Sequence, residues 1–240
     1  MTDKLVEVEN LYSGYGKLRI LFCVNFYAKA GEITVIVGPN GAGKTTLLNS
    51  VMGMTTVYSG TVRFDGRDIT KLPTYKRARM GLAYLPQYGN IAAGLTVEEN
   101  LRMAGHLVGP DEVEERVYEV IELFPKLGEL LPRKAGTLSG GERRMLAIGI
   151  ALMRKPKVLL LDEMTTDLAP MLVNQVLSKV VELRDSLGQT VIMVEQNAKK
   201  ALEIGDRAYL LVSGEIRFEG DPQDLLNNPQ LSKLYLGIIR

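Results

Sequence analysis

The segment Gly38-Pro39-Asn40-Gly41-Ala42-Gly43-Lys44-Thr45-Thr46 fits the pattern G-x-x-x-x-G-K-S/T and lies between two apolar runs of different period. Before it, Glu32 to Val37 reads as a buried strand. After it, Thr45 to Met54 carries Leu47, Leu48 and Val51 at helical spacing. The loop therefore opens a helix. Gly38, Gly41 and Gly43 lack the Cβ that bars left-handed backbone, so consecutive N–H groups are free to converge on the β- and γ-phosphates of a nucleotide at the positive end of that helix. Lys44 adds a point charge there. Thr45 supplies a hydroxyl of the kind that ligates the Mg²⁺ accompanying ATP.

The remaining chain supports an α/β fold around this loop. At 240 residues and 46% hydrophobic, it suffices for one large domain, or for a core with an inserted subdomain. Extended segments are expected near Lys4–Glu9, Arg19–Ala28, Thr61–Phe64 and Gly81–Leu85. From Val97 to Leu131 the pattern turns helical: Val113, Val117, Val120, Ile121 and Phe124 form an apolar stripe, and Asp111, Glu112, Glu114, Glu115, Glu119 and Glu122 a solvated face. Helix Gly141–Arg154, strand Val158–Leu161, helix Pro170–Leu187 and strand Thr190–Val194 then alternate, which implies a parallel sheet. A hairpin near Ser213-Gly214 and two short helices are expected to finish the chain.

A formal charge of +1 gives no bulk electrostatic reason to expect nucleic acid. Lys76-Arg77-Ala78-Arg79, the densest basic run, reads as a solvated helix face. Cys23 is the single cysteine and reads as a strand-interior residue. The start Met1-Thr2-Asp3-Lys4 has no apolar segment of signal-peptide type, and no run approaches the length needed to span a bilayer. Any membrane role is expected to come through a partner.

Two further stretches carry chemistry. The four apolar residues Val158–Leu161 end at Asp162, placed to hold the water shell of Mg²⁺, and Glu163 follows where it is able to orient or deprotonate a water in line with the γ-phosphate. Leu138-Ser139-Gly140-Gly141-Glu142 is a capping box that also exposes helix N–H groups to an anion, so both readings stand together. One chain does not easily bring Ser139 and Lys44 onto one γ-phosphate. The pattern makes sense if the helix end of one subunit closes on the nucleotide held by another.

In this order, Gly38–Thr45, Leu138–Glu142 and Leu161–Glu163 resemble the nucleotide-binding subunits of ABC transporters over essentially the whole chain. The resemblance implies a P-loop core with a parallel sheet and an antiparallel β flank (1–86 and 137–240), and an inserted helical subdomain over 87–136. It implies that Gln87 in Tyr84-Leu-Pro-Gln87 reaches the metal, that Gln196 senses the γ-phosphate, and that Tyr15 stacks on adenine, with Tyr12 as the competing candidate. It further implies two ATP molecules sandwiched in a homodimer or a heterodimer with a sister ATPase, at the cytoplasmic face of the membrane. Membrane permease subunits carry the solute, served indirectly by a solute-binding protein. Gly60–Thr70, Leu95–Leu101 and Val194-Glu-Gln-Asn-Ala198 look like the branched-chain amino acid branch, in particular its LivF-type subunits. A lipopolysaccharide-transport ATPase and an ATP-gated module with negligible hydrolysis stay open as alternatives. A soluble DNA-repair or ribosome-associated ABC protein is disfavoured by the near-neutral charge. The chain departs from the family at Gln196, where a histidine is usual, and at Met164, Asp167, Arg143, Arg144 and Ile150.

Overall fold

A computed structural model describes residues 3–231. In chain order its first elements are β1 (Lys4–Tyr15), β2 (Leu18–Lys29), β3 (Ile33–Val37), α1 (Lys44–Met52), β4 (Thr56–Phe64), β5 (Arg67–Asp68), α2 (Thr74–Arg79) and β6 (Leu82–Leu85). Helices α3 (Val97–Ala104), α4 (Pro110–Leu123) and α5 (Pro125–Leu130) follow. The chain continues through α6 (Gly140–Leu152), β7 (Val158–Asp162), α7 (Pro170–Leu187), β8 (Thr190–Val194), α8 (Ala198–Ile204), β9 (Arg207–Val212), β10 (Glu215–Gly220) and α9 (Pro222–Asn227).

Two sheets result. An antiparallel one has the order β2-β1-β4-β5, and a six-stranded one the order β10-β9-β3-β8-β7-β6, parallel except at β10. Every residue of β3, β7 and β8 is buried, as expected of strands covered on both faces. Their side chains alternate between two cores. Val35, Leu161 and Met193 pack with Ile148 of α6 and Val176 of α7, whereas Ile36, Leu160 and Ile192 pack with Leu47 of α1 and Phe26 of β2. The large sheet is thus a septum between a helical layer and the β flank.

Helix α7 and strand β8 run over the residues their periodicity predicts. The stretch expected to be helical from Val97 to Leu131 is three helices, because Pro110 and Pro125 each open a new one. Its apolar stripe is buried at Val117, Val120 and Phe124, and Asp111, Glu112, Glu114 and Glu115 are exposed. Ser213 and Gly214, both at positive φ, turn the β9–β10 hairpin. Of the two closing helices, the first is α9; most of the span expected for the second lies outside the described residues. No described helix is long and apolar enough to cross a membrane.

Two expectations are corrected. Cys23 lies in β2 but is exposed, at φ +51° in a bulge opposite Tyr12, where the β1–β2 register shifts. Arg77 is not on a solvated face: it is 1% exposed and donates to four carbonyl oxygens. Nη1 reaches Ser50 O at 2.8 Å and Val51 O at 2.7 Å, Nε reaches Leu72 O and Nη2 reaches Thr70 O, both at 2.8 Å. The guanidinium caps the carbonyl end of α1, the favourable end of the helix dipole for a cation. Burial lowers its pKa to about 10, so it stays charged at neutral pH. Gly53 ends the helix at φ +77°, and a Cβ there would meet Arg77 Nε at 2.7 Å. Arg77→Leu is expected to leave those oxygens without donors and cost roughly 3 kcal/mol. Thermal denaturation should then show Tm lower by roughly 6–12 °C for a domain of this size.

Candidate active site

The loop between β3 and α1 curls around Lys44. That side chain is buried, and Nζ donates to Gly38 O at 2.9 Å and Pro39 O at 3.2 Å. Burial lowers its pKa, while Glu163 and Asp162 act in the opposite sense. Gly38 admits no side chain, since a Cβ would lie 2.0 Å from Leu211 O. Gly43 caps α1 at φ +103° with no side-chain cap, so the first amides of the helix face the loop. A cation, a helix N-terminus and a glycine-bearing loop together make an anion cradle.

Asp162 ends β7 beside it. Thr45 Oγ1 donates to Asp162 Oδ1 at 3.0 Å, and Tyr84 Oη donates to Asp162 Oδ2 at 2.9 Å. Burial raises the Asp162 pKa against the pull of these two bonds and of Lys44. Glu163 takes a left-handed backbone (φ +51°) and its N–H donates to Val194 O at 2.8 Å. Gln87 Nε2 donates to Glu163 Oε2 at 3.2 Å, and Thr166 Oγ1 to the same oxygen at 3.4 Å. Gln87 therefore meets Glu163, not Asp162. Thr45 and Asp162 offer adjacent oxygens of the kind a hard cation takes.

Strand alternation separates the two tyrosines. Ser13 faces α1, where Ser50 Oγ donates to Ser13 Oγ at 2.9 Å, and Tyr15, two residues on, accepts from Asn49 Nδ2 at 2.8 Å. Tyr12 points to the other face, into a recess with Phe22, Cys23 and Glu215. Gln196 is exposed just beyond β8, at the sheet edge where Asp162 leaves β7.

Ser139 caps α6 and closes the box with Glu142: Ser139 N–H donates to Glu142 Oε2 at 2.8 Å, and Glu142 N–H to Ser139 Oγ at 3.3 Å. Gly140 and Gly141 lie under Leu168 and Leu172, which a Cβ on either would meet at 2.9 Å. Among the described residues, no hydrogen bond or ion pair joins Ser139–Glu142 to Gly38–Thr46. The unusual residues around them have partners. Asp167 accepts from Tyr88 Oη at 2.8 Å, Arg144 Nη1 donates to Gln87 O at 2.6 Å, and Met164 and Ile150 fill the helical core. Nothing in the structure explains Arg143.

Tyr84, Arg144 and Glu195 were not singled out from sequence as parts of the site. Glu195 is buried and accepts from Thr165 N–H at 3.1 Å. The signal for it was present, since Val191-Ile-Met-Val194-Glu195 repeats the apolar-run-then-acid pattern of Leu159-Leu-Leu161-Asp162.

Fold and site define a P-loop nucleotide-binding cassette. The protein-family model described as ABC transporter matches residues 21–166. The chain is 48% identical over 235 residues to a probable branched-chain amino acid transport ATP-binding protein, LivF, of Archaeoglobus fulgidus, covering 98% of this chain and 100% of that one. It is 42% identical to the high-affinity branched-chain amino acid transport ATP-binding protein BraG of Pseudomonas aeruginosa, covering 97% and 100%. Among solved structures, the ADP conformation of an ABC transporter cassette superimposes with TM-score 0.86 at 29% identity, covering 97% of this chain and 98% of that one. A dimeric post-hydrolysis cassette bound to ADP and Pi gives 0.78 at 25% identity, covering 90% and 98%. The chain belongs to the ABC transporter family, as an ATP-binding subunit that hydrolyses ATP.

Tyr84→Phe removes a donor from a buried carboxylate. It is expected to lower unfolding free energy by about 1–2 kcal/mol at neutral pH. The lost bond favours ionised Asp162, so this deficit should shrink as pH falls through the carboxyl's pKa. Urea unfolding of both proteins at several pH values measures it.

Proposed function

We propose that this ATPase drives uptake of branched-chain amino acids, bound peripherally at the cytoplasmic face of the plasma membrane to permease subunits that carry the solute. An extracytoplasmic solute-binding protein enters only indirectly, by delivering solute to those permeases. The full-length likeness to two branched-chain amino acid transport ATP-binding proteins carries the choice of solute. The juxtaposition of Lys44, Thr45, Asp162 and Glu163 carries the chemistry.

In this reading Gly38, Pro39, Asn40, Gly41, Ala42, Gly43 and Thr46 shape the cradle for ATP phosphates, and Lys44 offsets charge on the β/γ oxygens. Thr45 and Asp162 would hold Mg²⁺, with Gln87 at its edge, and the ion would neutralise phosphate charge when bound. Glu163 accepts a proton from the attacking water. Gln87 and Thr166 fix its carboxylate through Oε2. Gln196 donates to the γ-phosphate as a neutral amide. Tyr15, on the face of β1 that meets α1, stacks on adenine. Ser139, Gly140, Gly141 and Glu142 serve the nucleotide of a second cassette, identical or sister, and the segment 87–136 moves as a helical subdomain that transmits closure. The exposed position of Ser139 in a capping box, with no bond to the cradle of its own chain among the described residues, supports that division.

Purification with the permease subunits, followed by reconstitution into vesicles, tests the function. ATP-dependent accumulation of leucine, isoleucine or valine is expected in the wild type and none with Lys44→Ala. Vesicles that hydrolyse ATP yet move none of the three would sink the choice of solute. Tyr15→Ala should weaken ATP binding by roughly 2–10-fold, the worth of one aromatic stack, and Tyr12→Ala should leave it unchanged. Isothermal titration of the two variants distinguishes the rings.

A further inference from the structure

The mechanism above leaves one buried acid unused. Glu195 is 1% exposed and, among the described residues, makes no ion pair. Its carboxylate accepts from both donors of one residue, Thr165 N–H at 3.1 Å and the Thr165 hydroxyl. Thr165 is itself buried. A carboxylate taken out of water at the end of a strand is destabilising unless its bonds are worth keeping, so its partner identifies its use.

That partner lies in the segment that carries Glu163. Asp162 pairs with Val194, so Glu163 and Glu195 leave adjacent strands at the same level. Glu163 and Asp167 both hold left-handed backbone, at φ +51° and +63°, without being glycine. Such conformations persist only where surrounding contacts impose them. Three contacts do so here: Val194 O on Glu163 N–H, Glu195 on Thr165, and the Tyr88 hydroxyl on Asp167. The middle one is the only one made by a charged side chain from the strand that leads to Gln196.

We propose that Glu195 is a positioning residue of the ATPase reaction, whose carboxylate clamps Thr165 and thereby sets Glu163 and Gln196 at a fixed separation. The proposal rests on the reading of Glu163 as the base. Its charge environment comes from two elements besides its own. Burial pushes the Glu195 carboxyl up to about 7, neighbouring Glu163 acts in the same direction, and the two bonds from Thr165 and the guanidinium of Arg144 on α6 act against it. Arg144 also feels Asp167 and Tyr88, and its bond to Gln87 O ties the same cluster to the segment after β6.

The ionised carboxylate accepts both Thr165 donors, so the clamp is complete only above that pKa. Wild-type kcat should therefore fall as pH drops through about 7. Thr165→Val removes a bond that lowers the pKa, so this limb should move to higher pH. Stability runs the other way. A carboxyl raised from 4.5 favours the fold when protonated, and this contribution is lost as pH rises through about 7.

The test measures kcat, KM for ATP and Tm from pH 5.5 to 8.5 for the wild type, Glu195→Gln, Glu195→Ala, Thr165→Val and Glu163→Gln. Glu195→Ala should lose roughly 10–100-fold in kcat, the scale of a small misplacement of reacting groups, with KM changed less than about 3-fold. Glu195→Gln keeps an acceptor for Thr165 N–H and should retain at least about a third of wild-type kcat at pH 8, without the acidic limb. Its Tm advantage over wild type should grow as pH rises. Wild-type kcat and pH profile in Glu195→Ala, or an equal collapse of Glu195→Gln and Glu195→Ala, would overturn the clamp. If Glu163→Gln loses turnover and Glu195→Ala does not, the role of Glu195 alone fails. If both turn over normally, the assignment of Glu163 beneath it fails as well.

Discussion

The site depends on the register of four parallel strands. Ile36 of β3 and Asp162 of β7 both pair with Val194 of β8, and Leu85 of β6 pairs with Leu161. The residues that follow each strand therefore leave the sheet at one level: the phosphate loop after Val37, Glu163 after Asp162, Glu195 and Gln196 after Val194, and Gln87 two residues after Leu85. A one-residue slip of any strand would turn its inward side chains to the opposite core, which neither packed face would accept. Hydrophobic packing on both sides of the sheet thus fixes polar chemistry at its edge, the edge where open α/β sheets bind ligands.

Besides Lys44, three buried charges support that arrangement, and each is handled differently. Arg77 lies at the far end of α1, where four carbonyls surround it. It braces the helix whose other end forms the anion cradle. Asp162 is held by two hydroxyls and a nearby lysine. Glu195 has hydroxyl and amide donors from one residue and only a distant cation. Low local dielectric makes each arrangement stiff, because an unpartnered donor or acceptor there is costly.

Much of this was legible in the sequence. Apolar runs placed β3, β7 and β8, and Pro170 opened α7, because each of these is a local preference that tertiary packing reinforces. The glycine loop, Asp162 and Glu163 were readable for the same reason. Arg77 was not, since a basic tetrad on a short helix looks identical whether it faces water or the end of another helix. The choice between Tyr15 and Tyr12 needed the phase of β1 relative to α1. The contact of Gln87 with Glu163, 76 residues apart in sequence, was not legible either. Asp167 and Arg144 looked like isolated departures until Tyr88 and the Gln87 carbonyl appeared beside them.

The proposed division of labour between the two adjacent carboxylates is the centre of the proposed mechanism, and a paired binding and turnover measurement tests it most directly. Equilibrium ATP binding, with and without Mg²⁺, is set beside steady-state hydrolysis for Asp162→Asn and Glu163→Gln. Glu163→Gln should bind ATP with the full Mg²⁺ enhancement of the wild type while hydrolysis falls by about 10²–10⁴, the range for loss of a general base. Asp162→Asn should lose the Mg²⁺ enhancement itself. Identical behaviour of the two variants, or Mg²⁺-enhanced binding that survives Asp162→Asn and disappears in Glu163→Gln, would contradict the assignment.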